Sequence, residues 1–347
     1  RYQVDGWTAA GESIKALEHG IDVVNVRDMF MYGNPGRSRR DIVNAEWVFN
    51  NWDPTMFGTG ASDQAYYGDP HLIGAKTAVW GDQSREGMIE RDIQVRILRG
   101  VAVTAEKTWG GTGEEDTFQD FELRANKLAE GPGTQIAMKV DSQSSLVLDY
   151  DFQNISEDGK TIYDASGNGY DATLTGGSVK DGWLNFDGAS LLESPVQTLS
   201  YPYTVSFDLK LTAEDGAANA ASYADEDEKN DANLFSGYDG QLQVAGFNGN
   251  LSADVLYYTR DFHYAVPTDG TLVNITLVGT QQGTKLYVNG KLTTFLSTKT
   301  DAETTRPDGM RGQELYSSFV LPLEKNGEHF TGSMAKIKDY NKALTPE

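Results

Sequence analysis

Four aromatic side chains and one short acid are the residues whose types and spacing could do chemistry in this sequence. Trp80-Gly81-Asp82 closes the small-residue run Ala75-Lys76-Thr77-Ala78-Val79, so an indole and a carboxylate leave one strand end together. That is the pattern of a barrel strand whose last residues emerge at the C-terminal rim, where (β/α) barrels keep their active sites. Trp7 stands at a second strand end, beside Gly6. Tyr32 falls in Arg27 to Gly36, a stretch too rich in Gly, Pro and Asn to continue a helix. Trp52 opens the aromatic loop Trp52-Asp53-Pro54-Thr55-Met56-Phe57-Gly58. Each has a plain structural alternative. Trp80 and Trp7 can be core, Tyr32 can brace its loop, Trp52 can anchor it, and Asp82 can N-cap the helix expected after it. Trp109 reads as core.

Metal and acid–base groups are sparse. His19, His71, His263 and His329 are scattered without ligand spacing, so a zinc site is not expected. Asp164, Asn168 and Asp171 can ligate calcium through oxygens, but Asx-Gly turns explain them equally well. Glu114-Glu115-Asp116 and Asp225-Glu226-Asp227-Glu228 are charge runs in expected surface segments, not catalytic pairs.

The elements that must position these groups fall into two domains, as 347 residues allow. The strand Tyr2 to Trp7, the helix Gly11 to His19 with Gly20 at its end, and the β-branched run Ile21 to Val26 give strand, helix, strand. A long loop carrying Trp47, Trp52 and Tyr66-Tyr67 is then expected. Ile89, Ile93, Ile97, Val101 and Ala105 recur every four residues and predict a helix from Ser84 to Trp109. A second helix is expected over Glu115 to Ala129, stopped by Gly131-Pro132-Gly133. This alternation argues α/β with a parallel sheet over residues 1–133. After a linker at 134–144, residues 145–347 switch to short alternating strands, including Leu146 to Phe152, Tyr203 to Leu209, Leu272 to Val278 and Lys285 to Val288. Asn289-Gly290 between two such runs is a strong hairpin signal. Hardly any helix is expected there, which predicts a β-sandwich.

The formal charge is -22, with 15 Lys+Arg against 22 Asp+Glu in residues 1–145 and 14 against 29 in 146–347. Nucleic acid and anionic membrane are therefore poor partners. The chain has no cysteine, which excludes a disulfide framework and a thiolate metal site. No apolar run is long enough for a spanning helix, so membrane insertion is not expected. The start at Arg1 without Met reads as a piece of something longer, its targeting segment lost.

Two resemblances add to this reading. The second domain resembles the laminin-G-like, concanavalin-type jelly rolls through Asp164 to Ala172, Leu286 to Lys291 and Ile337 to Leu344. The first resembles the last part of a family 20 glycoside hydrolase, the β-N-acetylhexosaminidase and lacto-N-biosidase family. That likeness rests on Val4-Asp5-Gly6-Trp7, Gly20 to Asn25 leading to Met31-Tyr32, Trp52 to Phe57, Ala78 to Asp82, and Ala105 to Gly110. It implies strands six to eight of a (β/α)8 TIM-type barrel, partnered by the rest of that barrel, followed by a jelly-roll sandwich. It further implies that Trp7 and Trp80 wall the pocket of an N-acetylhexosamine, that Tyr32 donates to the acetamido oxygen, and that Asp82 accepts from hydroxyls of the same sugar. Trp52 would stack on an additional unit. The mechanism implied is substrate-assisted retaining hydrolysis of an N-acetylhexosamine-containing glycan, with the acetamido carbonyl as nucleophile and no cofactor beyond calcium in the sandwich. Asp82, where most hexosaminidases have Glu, is similar to lacto-N-biosidases; Gly33-Asn34 departs from the Leu-Asp of many hexosaminidases. The family's catalytic Asp-Glu pair would lie upstream, so the chain alone is expected to be inactive. A secreted or cell-surface bacterial glycosidase is the expectation, and a carbohydrate-binding module with an inert first domain is the alternative.

Overall fold

The computed structural model describes residues 2–34, 42–81, 90–110, 116–127, 140–223, 231–237, 240–255, 258–298 and 318–345. They fall into two compact units, the first holding the described residues up to Lys127 and the second those from Val140.

In the first unit, β1 (Gln3–Gly6) leads to helix α1 (Ala10–Glu18) and β2 (Asp22–Asn25). Gly20, at φ 69°, ends α1 as its amide and that of Ile21 reach back to Leu17 and Ala16 carbonyls. The single turn α2 (Asp28–Met31) runs directly into β3 (Tyr32–Gly33), and α3 (Ala45–Asn51) follows, capped by the Asn44 side chain. Next come β4 (Leu72–Ala75), β5 (Ala78–Val79), α4 (Glu90–Trp109) and α5 (Phe118–Lys127). Phe30, Met31, Val48, Phe49, Trp52, Val103 and Phe121 form the main core; Leu17, Val23 and Phe57 form a smaller one under α1.

The barrel remnant expected for this unit is not present among the described residues. Its strands make two separate pieces, a parallel three-stranded sheet β1-β2-β4 and a parallel pair β3-β5. A barrel segment needs one continuous arc in which each strand is followed by a full helix. Here the run Ala75 to Trp80, expected as one strand, breaks at Lys76-Thr77, where the chain leaves β4 and starts β5 beside β3. The loop expected after Val26 contains α3, because Val48 and Phe49 bury one helical face. Trp109, expected in the core, is 87% exposed at the end of α4.

The second unit is built from β6 (Leu146–Tyr150), β7 (Thr161–Ile162), β8 (Ala172–Thr175), β9 (Ser178–Lys180), β10 (Trp183–Asp187), β11 (Leu191–Glu193), β12 (Thr198–Leu199) and β13 (Tyr203–Lys210). After helix α6 (Ala213–Tyr223) follow β14 (Asn233–Gly237), β15 (Gly240–Gln243), β16 (Ser252–Val255), β17 (Tyr258–Asp261), β18 (Val273–Thr280), β19 (Gly283–Val288) and β20 (Lys291–Ser297). Last are β21 (Leu321–Pro322), β22 (Lys325–Asn326) and β23 (Thr331–Tyr340). One antiparallel sheet has the order β20-β19-β18-β13-β23-β10-β9, with β6 also on β23; the other has the order β17-β16-β15-β14-β22-β11-β8-β7. Side chains from both, such as Val205 and Phe207 against Leu234 and Phe235, share one core, with Phe207 edge-on to Phe235 at 5.2 Å. Residues 140–144, expected as linker, are part of this unit. Val140 packs on its core, the Gln143 amide donates to Asn168 Oδ1 at 2.9 Å, and the Tyr170 hydroxyl donates to the Asp141 carbonyl at 2.6 Å.

Candidate functional site

Three of the singled-out residues meet in the first unit, two of them at the carboxyl ends of parallel strands. Trp7 directly follows β1, Tyr32 lies in β3, and Trp80 directly follows β5. The rings of Trp7 and Tyr32 are parallel to within 4° with centroids 6.5 Å apart, and Trp80 is tilted by 40° to Tyr32 at 5.9 Å. Trp7 and Trp80 are half exposed, 52% and 50%. Large indoles are normally covered, so two left open around a phenol form an apolar surface available to a ligand.

The backbone explains how distant residues converge. The Trp7 carbonyl accepts from the Asp28 amide at 2.9 Å and from Arg27 Nη1 at 3.2 Å, tying the end of β1 to the chain leaving β2. The Trp80 amide donates to the Gly33 carbonyl at 3.1 Å, completing the β3-β5 ladder that sets its indole beside Tyr32. Fully buried Asn25 sits beneath. Its Nδ2 donates to the carbonyls of Pro54 and Met56, both at 2.9 Å, and its Oδ1 accepts from the Arg27 amide at 3.1 Å. A Cβ on Gly6 would collide with Ser13 and Phe57, so close packing under Trp7 requires glycine there. Charge at this rim is balanced, with Arg27 beside Asp28 at 3.4 Å and Lys76 on Asp5 at 2.6 Å. Asn34, next to Gly33, is buried and its amide oxygen has no partner among the described residues.

The other expected site residues fare differently. Asp82 lies outside the described residues, as do Glu114, Glu115 and the run Asp225 to Glu228. Trp52 does not offer its ring to a ligand: it is 1% exposed and its indole N–H donates to the Met56 carbonyl at 3.1 Å, which is the anchoring role. Asp116 pairs with Arg124 at 3.3 Å. Asp164, Asn168 and Asp171 form a turn network. Asp164 accepts from the amides of Asp149, Ser166 and Tyr170 and from the Ser166 hydroxyl; Asn168 donates to the carbonyls of Leu146 and Val147; Asp171 accepts from the Asp164 amide. Burial works to raise the Asp164 carboxyl, but the Ser166 hydroxyl and the backbone donors outweigh it and hold the group below its ordinary range. These oxygens are committed to the fold. Among the described residues no cluster of His, Asp and Glu is placed to hold a metal ion.

Sequence reading missed Asn25 and Arg27 as positioning residues. Asn25 ends a β-branched run, and a polar residue closing such a run was the available signal.

No family model matches the sequence, and no curated protein matches it. Among solved structures, the chain is similar to domain 4 of AbnA, a GH43 extracellular arabinanase from Geobacillus stearothermophilus in complex with arabinotriose, at 20% identity, 58% of this chain, 95% of that one and a TM-score of 0.37. It is similar to the binding domain of botulinum neurotoxin DC in complex with SialylT at 14% identity, 58% and 48% coverage and a TM-score of 0.33. A third similarity is to Trypanosoma rangeli sialidase in complex with sialic acid, at 14% identity, 60% and 34% coverage and a TM-score of 0.32. None of the three is a family 20 glycoside hydrolase.

Proposed function

We propose that this chain binds glycans and that Trp7, Tyr32 and Trp80 hold a sugar unit at the strand ends of the first unit. The observation that carries this is the open aromatic cluster itself, two half-exposed indoles about a phenol. The C–H face of a pyranose covers an indole, and burying it there gains hydrophobic and dispersion energy without charge. Carboxyl ends of parallel strands are also where α/β sheets bind ligands.

Titration with N-acetylglucosamine and lacto-N-biose, followed by tryptophan fluorescence, tests it. Trp80→Ala is expected to weaken binding about tenfold, the loss of one stacked ring at about 1.4 kcal/mol. Unchanged affinity in both Trp80→Ala and Trp7→Ala would remove the proposal.

A second reading is favoured by Tyr32, whose phenol stands between the two indoles. On it the site is the acetamido pocket of a family 20 type glycosidase, with the proton supplied by residues outside those described. It expects preference for N-acetylglucosamine over glucose, reduced in Tyr32→Phe. Equal affinity for both sugars excludes it while leaving glycan binding intact.

A further inference from the structure

The outer face of the β20-to-β9 sheet carries a second cluster. Alternation puts Leu184 and Leu209 inside the sandwich, so Trp183, Asn185 and Lys210 face outward. Lys180 of β9 is the cross-strand partner of Trp183, which puts their Cβ atoms about 5 Å apart. From β13, two strands away, Lys210 reaches over β23 and sets its Nζ 5.2 Å from the centre of the Trp183 ring. Between them Ser333 donates its hydroxyl to Asn185 Oδ1 at 2.7 Å, leaving the Ser333 oxygen able to accept.

Along β23, the strand between β10 and β13, the lysines are paired. Lys336 is neutralised by Asp208 at 2.9 Å and Lys338 by Asp149 at 2.8 Å. Asp187, at the far end of β10, is tied into its own turn by the Ser190 hydroxyl and the Ala189 amide. Among the described residues no carboxylate pairs with Lys180 or Lys210. In a chain of net charge -22, Lys210 over a half-buried indole and Lys180 on the neighbouring strand, neither with a carboxylate partner among the described residues, are complementary to an anion, not to more of the same surface.

We infer that this face binds an acidic oligosaccharide, with the carboxylate of a sialic or uronic acid unit between Lys180 and Lys210, its ring against the edge of Trp183, and its hydroxyls on Asn185 and Ser333. The site is distinct from the aromatic cluster of the first unit and shares with the proposal above only that the chain handles glycans.

The test is calorimetric or NMR titration of the full chain with 3′-sialyllactose, trigalacturonate and lactose. At least one acidic sugar is expected to bind tenfold or more tighter than lactose, and to weaken several-fold between low and high salt. Lys180→Gln/Lys210→Gln, two exposed changes that leave the core intact, is expected to lose at least tenfold. Failure of both acidic sugars to bind at millimolar concentration, equal binding of lactose, unchanged binding by the double variant, or equal binding of a glutamate-rich peptide overturns the inference. Loss in Trp80→Ala alone would move the acidic sugar to the first unit, refuting this site while sparing the first.

Discussion

Replacing Asn25 by Asp is expected to lower the melting midpoint of the first unit by roughly 10 °C at neutral pH, a loss of about 3 kcal/mol. The side chain is fully buried, and its amide nitrogen holds two carbonyls, Pro54 and Met56, that have settled around it. Aspartate fills the same volume but has no donor, so an oxygen faces two carbonyl oxygens and a buried charge keeps only the Arg27 amide as its partner. Because that carboxyl would rather be protonated there, the deficit should shrink in acid, where an O–H can replace one N–H. Calorimetry of both proteins at pH 4 and pH 7 reads this out, and identical midpoints at pH 7 would refute it.

A comparable effect, of opposite sign, is expected from Asp339→Asn in the sandwich. Asp339 is completely buried in β23, and neither carboxyl oxygen has a hydrogen-bond partner among the described residues. Burial, with the Asp149 and Asp164 carboxylates adding to it, pushes this group well above the ordinary carboxylate range. A folded-state pKa above the unfolded one means that stability is complete below about pH 4 and declines as pH rises toward the folded value, by up to about 1.4 kcal/mol per unit. Asparagine keeps the shape and cannot ionise, so its advantage over the parent should grow from pH 4 upward. Denaturant midpoints that run parallel for the two proteins across pH 4 to 8 would rule out an ionising Asp339 as the cause.

Much of this architecture is legible in the residues. α1, β2 and α4 are placed by Gly20, by the run Asp22 to Asn25, and by the four-residue spacing of apolar side chains; β13 and β18 follow from strict alternation. The turn at Asn289-Gly290, with φ of 48° and 75°, is the one its sequence specifies. What local pattern could not reveal is how the first unit's strands assort, because the break at Lys76-Thr77 depends on which neighbour offers hydrogen bonds. α6 was invisible for another reason: Ala213 to Tyr223 buries little, Asn219 being its one buried side chain, and Asn219 works by bridging the Thr331 backbone 112 residues away. Of the expected site, Trp7, Tyr32 and Trp80 do come together, whereas Trp52 is drawn inside because the Met56 carbonyl satisfies its N–H, a partner no spacing rule encodes. Asp339 looks like a surface acid until β6, β13 and β10 close around its strand.

That closure has a bearing on how a cell makes the molecule. β23 is threaded between β13 and β10 and is also the partner of β6, so the innermost strand of the sheet is translated after every strand it pairs with. At 5 to 20 residues per second a ribosome needs about 10 to 40 s to travel from β6 to the end of β23. Throughout that interval the edges of β6, β10 and β13 that pair with β23 have no permanent neighbour, so closure of this sheet waits on the arrival of one late strand.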